Sequence, residues 1–253
     1  MLFSDGSVVD TQHRGAVMCL CALTVPLWAS ADATGIVIIR DREGSSPGGL
    51  RFGSPVHALC RLAGGLFAVG NEHGAVSIHA PPEWGQVAAR VRCYTQPRGV
   101  PVLCMAGLLG GGVVSAGTGG TMVYHDGAKV CPLVGHTSRV RALLLLADGR
   151  LASASRDSTV RLWAGAKGRG LLCRHVLRGH TAEVVALAEL PRAALASGSV
   201  DGDVRLWQGA DCQHVLRAHT SPACALVALP GGVLVSGARA MSSGFGYELV
   251  APF

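Results

Sequence analysis

Apolar positions along this chain fall in short runs, each closed by glycine, aspartate or a small polar residue. They never settle into the 3.6-residue period of a helix. Residues 140–163 show the pattern most clearly. The run VRALLLL is followed by Asp148-Gly149, a strong hairpin signal. RLASAS comes next, then a turn around Asp157, then TVRLW. Three strands joined by two tight turns are predicted. Alternating stretches such as CRHVLR (173–178), CQHVLR (212–217) and VAARVRCY (87–94) predict a fourth, half-exposed strand. The longest apolar stretch, 16–31, carries Pro26 and is short for a membrane span. It reads as two successive strands.

The pattern repeats. GHTSRVRALLLLADGRLASASRDSTVRLW (135–163) and GHTAEVVALAELPRAALASGSVDGDVRLW (179–207) align without a gap at a shift of 44 residues. AHT (218–220) with VLVSGA (233–238) opens a third copy. Weaker copies pair HRGAV (13–17) with 28–41, SPVHALC (54–60) with 67–79, and VPVLCMA (100–106) with 113–126. The apolar residue that starts each unit is Val17, Val56, Val102, Val140, Val184 or Ala223. Six units result.

Four strands in each repeat of forty-odd residues is the signature of a β-propeller blade. With its Gly-His, Asp and Trp marks, the chain resembles the WD-repeat family, most closely over 135–207. It departs from the family dipeptide where Trp163 precedes Ala164 and Trp207 precedes Gln208. The expected fold is all-β, a single WD-repeat β-propeller over 1–253. Its blades fall at 13–41, 50–79, 87–126, 129–163, 171–207 and 212–253. Residues 6–12 are expected to close the ring by completing the last blade, because an unlinked blade would expose a sheet edge. The alternative is a seven-bladed propeller with one blade lost.

His136, Ser153 and Asp157 are the residue types of a nucleophilic triad. A triad is needed once per active site, yet this set recurs at identical offsets as His180, Ser197 and Asp201, each time with a tryptophan, Trp163 or Trp207. Neither serine sits in a G-x-S-x-G elbow. A buried indole N–H needs an acceptor, and a serine hydroxyl can accept it and donate onward to histidine. The family resemblance implies that these two tetrads are structural. Partial tetrads are expected elsewhere. His13 and Ser30 stand with Thr34 in the Asp place and Arg40 in the Trp place. Val69, His73 and His79 fill the second unit, and Ser115, Gly119 and His125 the third. His219 and Ser236 belong to the last. The second and third units are expected to rest on packing and ladder bonds alone.

Charge adds little to the fold and something to the function. The net charge is +6, and all but two of the 22 cations are arginine, with no basic run. The nine cysteines mostly lie inside apolar runs and lack zinc spacing, which predicts small buried reduced thiols and an intracellular protein, cytoplasmic or nuclear. No secretory signal is legible at the start. The glycine-rich 110–120 leads into a strand, so it reads as a turn and not a phosphate cradle. No catalytic residue, metal or cofactor is expected. The resemblance implies a non-catalytic scaffold that binds proteins or peptides through the loop face. It places Arg139, Arg156, Glu183 and Val200 on that face, a rim suited to acidic or phosphorylated segments. One alternative is a binder of nucleic acid or anionic lipid through a basic face. Another is the substrate-receptor subunit of a ubiquitin ligase or similar complex, disfavoured because no Trp-Asp-x-Arg is present.

Overall fold

The computed structural model describes residues 13–23, 26–46, 48–81, 90–127, 129–166, 170–217, 219–230, 232–239 and 245–250, the last segment as backbone only. The strand expected over 6–12 lies outside them. The chain divides into two compact units, one made of residues 1–118 and 122–132, the other of 119–121 and 133–253.

The first unit carries three four-stranded antiparallel sheets, each built in chain order. The first holds β1 (Val17–Ala22), β2 (Trp28–Asp32), β3 (Ile36–Arg40) and β4 (Gly48–Arg51). The second holds β5 (Val56–Arg61), β6 (Phe67–Asn71), β7 (Ala75–His79) and β8 (Arg90–Thr95). The third holds β9 (Val102–Gly107), β10 (Val113–Gly117), β11 (Met122–Asp126) and β12 (Lys129–Pro132). Val37 and Ile39 of the first sheet pack with Val56, Phe67 and Val69 of the second. Ala58, Ala68 and Val76 of the second pack with Val102, Met105 and Val113 of the third.

The second unit repeats the plan. One sheet holds β13 (Val140–Leu145), β14 (Leu151–Ser155), β15 (Val160–Ala166) and β16 (Gly170–Leu177). The next holds β17 (Val184–Leu190), β18 (Ala194–Ser199), β19 (Val204–Gln208) and β20 (Asp211–Leu216). The last has three strands among the described residues, β21 (Ala223–Leu229), β22 (Val233–Arg239) and β23 (Phe245–Val250). Ala154, Val160 and Leu162 pack with Val184, Leu195 and Trp207. Ala188, Ala196 and Leu206 pack with Ala223 and Leu234. Second strands are covered on both faces, as in β14, where Leu151 to Ser155 are all buried. The fourth strands β8, β12 and β20 are mostly exposed, whereas β4 is buried at three of its four positions. No described helix is long and apolar enough to cross a membrane; the only helical pieces among the described residues are single 3-10 turns.

Two backbone devices recur and set up the site. In five sheets the first strand carries a bulge directly after the unit's first apolar residue, at Val17, Val56, Val140, Val184 and Ala223. A bulge re-aims the side chains beside it. The turn between second and third strands puts a residue at positive φ at one repeated position, Gly35, Gly74, Gly120, Ser158 or Gly202.

The cysteines correct an expectation. All nine are free thiols, but only Cys60 is buried, while Cys93, Cys212 and Cys224 are exposed. Cys93 and Cys212 fall on outer fourth strands, but Cys19, Cys21 and Cys104 are only half-buried and Cys224 is exposed although each lies in an apolar run, so an apolar neighbourhood in sequence did not bring burial.

Candidate functional site

In the sheet β13–β16 the four marked side chains form a continuous hydrogen-bonded chain. Trp163 Nε1 donates to Ser153 Oγ at 2.8 Å. Ser153 Oγ lies 2.7 Å from His136 Nε2, and His136 Nδ1 lies 2.8 Å from Asp157 Oδ2. Because Ser153 already accepts from the indole, its proton goes to Nε2, which leaves Nδ1–H to donate to the carboxylate. The sheet β17–β20 repeats this, with Trp207 to Ser197 at 2.8 Å, Ser197 to His180 at 2.8 Å and His180 to Asp201 at 3.1 Å. Ser153 and Ser197 are fully buried. No substrate carbonyl could reach either oxygen without opening the sheet.

The electrostatics fit a neutral imidazole against an ionised carboxylate. Burial pushes His136 and His180 below the usual histidine range, and the neighbouring aspartates only partly offset it. Burial acts to raise Asp157, but the Thr159 hydroxyl, His136 and the Thr137 N–H hold it down at about 2. Asp201 is lowered in the same manner, its burial outweighed by the N–H groups of Thr181 and Asp203 and by His180.

The partial sets differ from expectation in three places. In the first sheet the aspartate is Asp32, two residues before Thr34. Its Oδ2 lies 3.0 Å from His13 Nδ1, and its Oδ1 accepts from Thr34 N, Thr34 Oγ1 and Ile36 N at 2.8, 2.7 and 2.9 Å. Thr34 thus serves the carboxylate and does not replace it. His13 Nε2 meets Ser30 Oγ at 2.6 Å, and Arg40, in the Trp place, reaches the same oxygen at 3.5 Å. The third sheet does not rest on ladder bonds alone. Gln96 Nε2 donates to Ser115 Oγ at 3.0 Å, and Ser115 Oγ lies 3.0 Å from His125 Nε2. Gln96 was legible only as a polar residue near the start of its unit. The polarity of this chain is reversed: the residue from the inbound loop donates, and the one on the third strand accepts. In the second sheet His79 turns to Ser77 of its own strand at 2.8 Å, since Val69 offers no hydroxyl; His73 takes no part in that bond. Gly119 has no side chain to contribute. In the last sheet His219 meets Ser236 at 2.7 Å.

Residues 127–164 and 171–208 each match the family model described as WD domain, G-beta repeat. These two segments are WD repeats, which supports a WD-repeat family for this chain. No curated protein matches it. WD-repeat domains generally act as non-catalytic scaffolds for protein–protein interaction.

The WD-repeat loops bring the four nominated face residues together in pairs. Arg156 N donates to Arg139 O at 2.9 Å, and Val200 N donates to Glu183 O at 2.9 Å. Each pair lies beside a tetrad aspartate, Asp157 or Asp201. Arg156 is exposed, and Val200 is exposed at 40%. Arg141, set on the bulge of β13, reaches Glu183 at 3.3 Å and links the two pairs. Glu183 is therefore committed to an ion pair within the WD-repeat sheets, whereas Arg139 and Arg156 have no carboxylate partner among the described residues. No group of three or more His, Cys, Asp or Glu is gathered to hold a metal among the described residues.

Proposed function

We propose that this chain is a non-catalytic scaffold whose six sheets are the blades of one propeller. It binds a protein or peptide through the loops that carry Arg139, Arg156 and Val200. The tetrads are interior fasteners. They tie each inbound loop to the turn between second and third strands, so the face is rigid before a partner arrives, and preorganisation lowers the cost of binding. The observation that carries the reading is the duplicated Trp–Ser–His–Asp chain, buried at its serine both times. It leaves Arg156 exposed, with Arg139 half-buried beside it. Two arginines without carboxylate partners suit an acidic or phosphorylated segment.

Affinity capture of partners by wild-type protein and by Arg156→Glu tests this. Capture falls in the variant while its melting temperature stays within about 1 °C, as expected of an exposed site. Equal capture by a folded variant excludes this face.

A second reading concerns blade number. Leu20 on β1 is 68% exposed, and Val227 on β21 is 51% exposed. Apolar residues left open on the first strands of the first and last sheets suit a propeller of seven blades with one contributed from elsewhere. Closure by residues 6–12 instead predicts that deleting them destabilises the last sheet.

A further inference from the structure

A hairpin that departs from its sister turns lies in the sheet β17–β20, at the end of the strands away from Asp201. The hairpin joining β17 to β18 turns through Arg192 and Ala193, at φ 62° and 58°. In the sheet β5–β8 the same turn is made by Gly64 and Gly65, at φ 69° and 79°. In β13–β16 the place of Ala193 belongs to Gly149, at φ 83°. Two adjacent left-handed positions are glycine or asparagine territory. Among the described residues this hairpin alone holds two adjacent side-chain-bearing residues at positive φ, and such outliers cluster at ligand clamps.

The charge at the turn is equally unusual. In β13–β16 the hairpin cation is neutralised at home, with Arg150 Nε 2.6 Å from Asp148 Oδ2. Arg192 stands where the repeat has Asp148, and no carboxylate pairs with it among the described residues. It borders a cavity of about 220 Å³ whose lining includes Leu190, Pro191, Leu206 and Trp207 together with Gln208 and Gln213. Gln208 Nε2 holds the Arg192 carbonyl at 3.2 Å, fixing the turn against the cavity. The hairpin β19–β20 closes at Gln208 paired with Asp211, whereas β15–β16 runs on to Ala166 paired with Gly170. The shorter hairpin leaves the cavity open. Its volume falls below the roughly 300–1,000 Å³ of small-molecule pockets and suits one side chain.

We propose that this cavity is a peptide-binding site. It seats one aliphatic side chain on Leu190, Leu206 and Trp207, and Arg192 takes a carboxylate from a neighbouring residue of the same peptide. The site is independent of the Arg139–Arg156 face.

The probe is a fluorescein-labelled, acetylated peptide with one leucine between two aspartates, titrated into the full chain by fluorescence anisotropy. Binding is expected for this peptide and lost when lysines replace the aspartates or alanine replaces the leucine. Arg192→Gly relieves the left-handed strain, so it melts no lower than wild type, yet it weakens the probe about tenfold or more through the lost charged contact. Ala193→Gly holds or raises the melting temperature and keeps the affinity. Arg156→Glu leaves the probe unaffected, which separates this site from the loop face. The proposal falls if the acidic probe does not bind at millimolar concentration, if the lysine peptide binds equally, or if Arg192→Gly binds as wild type does.

Discussion

Gly135 and Arg161 approach so closely that a β-carbon on the glycine would stand 2.7 Å from Arg161 Nη1. The same carbon would lie 3.0 Å from Trp163 Cη2. Gly179 and Arg205 repeat the approach at 2.6 Å. The glycine before each tetrad histidine therefore makes room for a guanidinium lying across the tetrad. Gly135→Ala should overpack this site and cost about 1–3 kcal/mol. Adding Arg161→Ala should recover part of the loss, a coupling that a double-mutant cycle of denaturant unfolding measures. Strict additivity would show that the two residues do not compete for space.

Ser153→Ala leaves the Trp163 N–H and the His136 Nε2 without partners in a dry interior. Each orphaned group costs about 1–3 kcal/mol. For a domain of this size the melting temperature should fall by roughly 2–4 °C per kcal/mol. Ser197→Ala should match it, because the geometry is duplicated. Calorimetry of both variants checks this, and an unchanged melting temperature would show the serine to be dispensable to the fold.

Asp32 and Thr34 make opposite claims on the first sheet. Asp32 is fully buried and answers His13, Arg14 N, Thr34 N and Ile36 N. Asp32→Ala should cost about 3 kcal/mol or more. Thr34→Ala removes a single hydroxyl contact and should cost about 1 kcal/mol. Urea unfolding distinguishes them, and a larger loss at Thr34 would reverse the assignment.

Acid should weaken the fold in two stages. Burial lowers His125 from 6.5 to about 4 and lowers His136 and His180 in the same direction. As pH falls, the unfolded chain takes up these protons first, so stability is complete above about pH 6.5 and drains as pH drops towards 4. Asp32 and Asp157 are held down at about 2, so their contribution is present above the ordinary carboxylate range and is lost below it. Melting temperatures between pH 8 and pH 3 should show both stages, and His125→Gln should flatten the first. A pH-independent melting temperature across 7 to 4 would contradict the buried neutral histidines.

The repeat, the strand triplets and the two complete tetrads could be read along the chain, because period-2 burial and identical offsets are local facts. Val140 to Trp163 and Val184 to Trp207 carry their pairing partners within about twenty residues. Other features depended on the folded sheets. Gln96 lies nineteen residues from Ser115, outside the spacing of the other sets, and its amide reaches the hydroxyl only because the inbound loop ends over β10. Asp32 sits off the repeat by two positions, and only the folded turn brings its carboxylate to His13. Arg192 is set apart by its left-handed backbone, where the sister turns use glycine, and by the cavity beside it. Which residues alternate and recur is a local property, since strand burial and turn chemistry act over neighbours. Which polar groups meet, and which cations stay uncompensated, was decided by tertiary packing, because a hydrogen bond or an ion pair depends on distances that no spacing along the chain encodes.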